Sequence, residues 1–141
     1  MVYDKSQYFG SHLSNCPPND AQTASGVVYR LVKNNPPNKT DFIPIAKRCP
    51  DQINRESGKP NSETCQAHGL SVYKNKNEAL INKDRFPYFR DAKLAIAKLT
   101  PECGHIKNTP TDETPSHHTL WLPYEMEIWQ VFEIEEQVGE Q

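Results

Sequence analysis

The chain has no excess of basic residues and no long apolar run, and each lack removes a class of function. Sixteen Lys and Arg stand against eighteen Asp and Glu, for a net charge of -2. No bulk positive charge is left to screen a phosphate backbone, so nucleic acid is not an expected partner. Lys74, Lys76, Lys83, Arg85, Arg90, Lys93 and Lys98 gather in the middle, while Glu125, Glu127, Glu133, Glu135, Glu136 and Glu140 load the end. Such runs read as solvated faces. No stretch approaches the roughly 20 apolar residues that span a bilayer. The start, Met1-Val2-Tyr3-Asp4-Lys5, has neither the basic nor the apolar region of a secretory signal. The expectation is a cytoplasmic protein without membrane contact. Cysteine is sparse: Cys16, Cys49, Cys65 and Cys103 include no Cys-x2-Cys pair, and in a reducing compartment all four are expected as free thiols. A His-Glu-x2-His pattern is also missing, so no metal is expected. Cys103-x-His105 with His117 or His118 is the weaker candidate for one, since adjacent strand histidines point apart.

What is present describes one α+β domain. At 141 residues the chain can bury a core without staples. Residues 1–25, rich in Ser, Asn, Gln and Pro, read as a mobile or loosely docked arm. The core domain is placed at 26–135 and a short tail at 136–141. Gly26 to Lys33 is β-branched and apolar on both faces, the pattern of a central strand. Arg30 falls in phase with Val28 and Val32, so its guanidinium leaves a largely apolar face and must find an anion or carbonyls. Thr40 is placed as the N-cap of a helix through Arg48, ended by Cys49-Pro50. Residues 51–68 form a long polar loop, either functional or disordered. A second strand covers Gly69 to Tyr73, and Asn75 or Asn77 caps a short helix. A strand over Leu94 to Leu99 and another near His105 to Asn108 are joined by a turn at Pro101 to Gly104, which predicts a hairpin. A helical turn at Glu125 to Trp129 and a closing strand Val131 to Glu135 follow. The sheet is expected to be mixed, mostly antiparallel, with five to seven strands and two or three short helices. No internal repeat is visible.

The segment Ser116-His117-His118-Thr119-Leu120-Trp121-Leu122 carries the most chemistry. As a strand it sends His118, Leu120 and Leu122 to one face and His117, Thr119 and Trp121 to the other. The first set packs. The second forms a surface able to hold a ligand.

Arg30 in Val28-Tyr29-Arg30-Leu31-Val32, and Ser71 in Gly69-Leu70-Ser71-Val72-Tyr73 followed by Asn77-Glu78-Ala79, resemble the first two core strands of the ADP-ribosyltransferase-like fold. That resemblance implies a split sheet gripping NAD, the substrate. Arg30 would orient the dinucleotide phosphates and Ser71 would line the nicotinamide side. Glu133 or Glu135 would engage the ribose in glycosidic cleavage. Tyr29, Tyr73, His117, Thr119 and Trp121 would complete the cofactor-binding walls. The types suit the task, because guanidinium pairs bidentately with pyrophosphate and a carboxylate stabilises an oxocarbenium-like transition state. The late His-His-Thr-Trp segment is also similar to one in small uncharacterised bacterial proteins, which implies no activity.

Two other readings stand beside the nucleotide one. A protein-interaction module of a bacterial regulatory or conflict system would use the 51–68 loop and the polar arm. A metal-independent ribonuclease would need two of His105, His117 and His118 across one cleft with Lys107.

Overall fold

The computed structural model describes residues 13 and 15–135. Among these residues seven strands form a single sheet: β1 (Gln22–Thr23), β2 (Gly26–Val32), β3 (Leu70–Tyr73), β4 (Lys93–Leu99), β5 (His105–Asn108), β6 (His117–Trp121) and β7 (Glu133–Ile134). Two helices, α1 (Ile45–Arg48) and α2 (Lys76–Arg85), and several 3-10 turns complete an α+β domain. The order across the sheet is β1-β5-β6-β3-β2-β4-β7. Every ladder is antiparallel, so the expected mixed sheet is purely antiparallel among the described residues.

One face of the sheet carries the main core. Val28 and Val32 of β2, Leu70 and Val72 of β3, Ala95 and Ala97 of β4, and Leu120 of β6 are buried there against Phe42, Ile128 and Phe132. The opposite face is partly covered by α2, whose Ala79 packs with Leu31, Leu94 and Tyr73. Asn75 caps α2 by accepting from the Glu78 backbone N–H, and the Glu78 carboxylate then accepts from Ser116 N at 2.7 Å, tying the helix to the start of β6.

The ladder between the two central strands is short. β2 pairs with β4 over seven positions but with β3 at one, Tyr29 opposite Tyr73. β3 meanwhile pairs with β6 along its whole length. The sheet therefore opens between β2 and β3 at the end where Arg30 lies.

Three expectations need correction. The helix over 40–48 is two pieces: a 3-10 turn at Lys39–Phe42 capped by Asn38, then α1. Pro44 separates them, since the residue before a proline is pushed to extended backbone, and Ile43 sits at φ -96°, ψ 118°. The expected hairpin does not form: β4 pairs with β2 and β7, whereas β5 pairs with β6 and β1. Gly104, at φ +120°, makes the change of direction, and a Cβ there would lie 2.0 Å from the Trp121 carbonyl oxygen. The cysteines are not all free. Cys16 and Cys65 form a disulfide across 49 residues, while Cys49 and Cys103 remain thiols.

That bridge also bears on the N-terminal arm. Leu13 and Cys16 are buried against Trp121, and β1 joins the sheet edge beside β5, so this part of the arm is docked. Residues 1–12 and 14, and the tail at 136–141, lie outside the described residues. The 51–68 segment is built on hydrogen bonds. Asn54 accepts from the Glu56 and Ser57 backbone N–H groups and donates to Asn61 Oδ1 at 3.0 Å, and the buried Asn61 donates to the Cys49 carbonyl. Among the described residues no helix is long and apolar enough to cross a membrane.

Candidate functional site

A cavity of about 360 Å³ lies where the sheet opens, at the small end of the range for ligand sites. Arg30 of β2, Ser71 and Tyr73 of β3, and His117 and Thr119 of β6 line it. Leu31, Ile43, Phe86 and Phe89 supply apolar wall, and Asn54, Gln66 and Ala67 of the 51–68 segment close one side. Among the described residues, none that lines it is an Asp or Glu.

Alternation puts Arg30 on the face of Val28 and Val32, yet its guanidinium reaches the cavity through the gap between β2 and β3. Nη1 donates to the Ser71 carbonyl at 2.7 Å, and Nε and Nη2 donate to the Asp41 carbonyl at 3.2 and 2.9 Å. The Phe42 ring lies 5.3 Å away. Carbonyls, not a carboxylate, therefore hold this cation. The Asp41 carboxylate is turned to the backbone N–H groups of Lys33 and Asn38 and to Asn34. Burial, with the charge of Arg48 second, lowers the Arg30 pKa to about 10. The group stays charged at neutral pH, and an arriving anion would offset the cost of its burial.

Ser71 and Tyr73 face the same side as His117 and Thr119, because the register sets Ser71 opposite Thr119 and Tyr73 opposite His117. His117 is buried and uses both ring nitrogens. Nδ1 lies 2.8 Å from the Thr109 carbonyl oxygen and Nε2 lies 2.9 Å from Ser71 Oγ. A carbonyl only accepts, so Nδ1 carries the proton and the Nε2 lone pair accepts from the Ser71 hydroxyl. Thr109 Oγ1 sits 2.8 Å from both Nδ1 and Thr119 Oγ1, bracing the ring further. Burial lowers the His117 pKa; the Thr109 carbonyl opposes the shift, His118 adds to it, and Glu56 opposes it weakly. Tyr73 packs edge-on against the His117 ring, accepts from Asn82 Nδ2 at 2.6 Å, and has its pKa raised by burial.

Four residues expected at the site lie elsewhere. Tyr29 packs beside Leu31 and α2 and is not part of the cavity lining. Trp121 is buried beneath the disulfide and donates to the Cys65 carbonyl at 3.0 Å. Glu133 is exposed on β7, the sheet edge beyond β4, opposite Ile96. Glu135 pairs with Lys76 at 3.1 Å. His118 accompanies the core-facing residues and has Nδ1 2.7 Å from the Ser116 carbonyl oxygen, and His105 stands opposite Trp121 on β5. Among the described residues His117 is thus the one histidine lining the cavity, and the described histidines do not assemble the two-imidazole cleft of a ribonuclease there. Among the described residues, no three His, Cys, Asp or Glu side chains gather as metal ligands. Sequence reasoning missed Thr109, Asn82 and the Asn54 side of the cavity. Thr109 lay in a Thr/Pro-rich loop without a pattern, and only the register of β5 against β6 brings it under His117.

No protein-family model, curated protein or solved structure matches the chain.

Proposed function

We propose that the cavity binds a phosphate-bearing nucleotide of the NAD class, with Arg30 on a phosphate and Ser71, Tyr73, His117 and Thr119 around the ribose and base. One observation carries the reading: a partly buried guanidinium held by carbonyls, with no acidic side chain among the described residues that line the cavity it faces. Anions seek such a group, and its free N–H groups suit a phosphate oxygen. Apolar wall and the Tyr73 ring suit a base or nicotinamide. The opening between β2 and β3 supports the likeness to the split sheet of ADP-ribosyltransferases. Ribosyl transfer receives less support than binding, since Glu133 and Glu135 lie away from the cavity and no described lining residue is a carboxylate that could stabilise an oxocarbenium-like centre. The Cys16–Cys65 bridge favours an oxidising compartment over the cytoplasm expected from the sequence.

A second reading, a protein-interaction module, is favoured by Phe86 in the cavity wall and Tyr88 outside it, large aromatics left exposed. Lys33 and Arg48 lie over the Tyr88 ring, an arrangement suited to an acidic partner segment.

Thermal melting with NAD, nicotinamide mononucleotide and AMP tests the first reading. At a ligand concentration near one hundred times Kd the stabilisation is about 2.7 kcal/mol, a shift of several degrees. The expected result is a saturable shift lost in Arg30→Ala, without release of nicotinamide. No shift with any of the three ligands would sink the reading and leave the interaction module ahead.

A further inference from the structure

We propose that Ser71 and His117 form a nucleophile and base that cleave an acyl ester carrying negative charge, bound in the cavity beside Arg30. The proposal rests on the anionic-ligand part of the reading above and not on the identity of the nucleotide. It begins with the register of β3 and β6. Ser71 lies opposite Thr119 and Tyr73 opposite His117, so His117 is the diagonal neighbour of Ser71 on the same face, within reach of its hydroxyl. The Oγ to Nε2 distance of 2.9 Å is that of a made hydrogen bond.

The direction of that bond matters. Because Nδ1 faces the Thr109 carbonyl, the ring is held in the tautomer whose Nε2 accepts. A nucleophile, a base and a group that orients the base are the three roles of a serine-hydrolase site, with a neutral carbonyl in place of the usual carboxylate. Burial of the ring keeps it neutral near pH 7, the form that takes a proton. Ser–His pairs in sealed cores make the same bond for structural reasons. Here Ser71 is exposed and lines the cavity, while His117 is buried behind it. Both side chains line the cavity, the nucleophile open to a ligand and the base with only a small part of its surface exposed.

Arg30 supplies the charge preference. It donates to the carbonyl of Ser71 itself, so the cation is fixed to the strand that carries the nucleophile, and the described lining holds no Asp or Glu to take up its charge before a ligand does. Leu31, Ile43 and Phe89 would take the apolar part of the ester.

In the reaction, Ser71 Oγ forms a bond to the acyl carbon as its proton passes to His117 Nε2. The bond from that carbon to the leaving oxygen breaks, and Nε2 returns the proton to the departing alkoxide. Water then attacks the acyl-serine, giving a proton to Nε2. The acyl–Oγ bond breaks, and Ser71 recovers the proton as the carboxylic acid leaves.

The test uses the full chain with a fluorophosphonate probe, read by intact mass and peptide mapping, together with hydrolysis of mono-p-nitrophenyl succinate and p-nitrophenyl acetate. The expected result is one phosphonyl adduct on Ser71 with loss of fluoride, absent in Ser71→Ala, and labelling slowed roughly 100-fold or more in His117→Gln. Hydrolysis should favour the anionic succinate ester, and Arg30→Lys should reduce that preference. If His117→Gln fails to fold, Ser71→Ala still decides, since Ser71 is exposed and the bond of its hydroxyl is to His117. No adduct at Ser71, or labelling and turnover unchanged in Ser71→Ala, would overturn the proposal. A preference for the neutral ester would overturn the assigned substrate class. A nucleotide melting shift without labelling overturns the dyad and leaves the nucleotide reading standing; labelling without a nucleotide shift supports the dyad and removes that reading.

Discussion

Arg30 enters its position without a carboxylate, and this governs what its replacement does. Its three hydrogen bonds join the Asp41 carbonyl, beside β2, to the Ser71 carbonyl on β3. A lysine ammonium lacks the planar fork that reaches both. Arg30→Lys should therefore destabilise the fold by about 1 kcal/mol, the net worth of a hydrogen bond lost at a partly exposed site, measured as a lower urea midpoint. His117 gives a pH signature of its own. Burial lowers its pKa in the folded state, so below the ordinary imidazole value of about 6.5 the unfolded chain binds more protons than the native one. Its contribution to stability is complete above that value and is lost as the pH falls from it through the lowered native pKa. Protonation also ends the acceptor role of Nε2 toward Ser71. Melting temperature should fall between pH 7 and pH 5, above the carboxylate range, and His117→Gln should flatten that limb. A wild-type profile flat across this window would show that the ring does not titrate as its burial requires. Ser71, Tyr73, His117 and Thr119 were legible in the sequence because strand alternation alone puts them on paired faces. Trp121 shares that alternation and still lies outside the cavity, since only tertiary packing tells a ligand wall from a buried seam.

At the scale of elements, the β-branched run of β2 and the alternation of β6 are strong local signals, and both strands form where the pattern sets them. The path of the chain between strands was not legible. Pro101 to Gly104 carries turn residues, but such residues mark a change of direction without naming the next partner strand. Here Gly104 sends β5 across the sheet to β6. Its φ of +120° and the 2.0 Å approach of a Cβ to the Trp121 carbonyl combine two penalties, so Gly104→Ala should cost on the order of 3 kcal/mol in urea unfolding. The N-cap of α2 is a milder case. Asn75→Ala removes the bond to the Glu78 N–H and should cost about 1 kcal/mol. Because Glu78 and Asn82 connect α2 to Ser116 and Tyr73, fraying there should also weaken any nucleotide melting shift. An unchanged shift in a destabilised Asn75→Ala would mean that α2 supports the fold without tuning the site.

Over the whole molecule, the unforeseen feature is the disulfide. Four cysteines without paired spacing gave no indication that Cys16 and Cys65, separated by 49 residues, would meet. Closing a loop of that length restricts the unfolded chain, and the entropy model assigns it about 4 kcal/mol. The bridge also reaches the cavity. Cys65 opens the 3-10 turn Cys65–His68, its carbonyl accepts from the Trp121 indole, and Gln66 and Ala67 of the same turn line the cavity wall. Reduction should therefore lower the urea midpoint, and it should shrink the nucleotide melting shift because the wall loses its covalent anchor to the N-terminal segment. The double variant Cys16→Ser, Cys65→Ser should reproduce both effects without reductant. A fall in stability with the ligand shift intact would confine the bridge to the unfolded state. No change on either measure, in a chain shown by thiol titration to be oxidised beforehand, would show that contacts of Leu13 and Trp121 hold this corner without it.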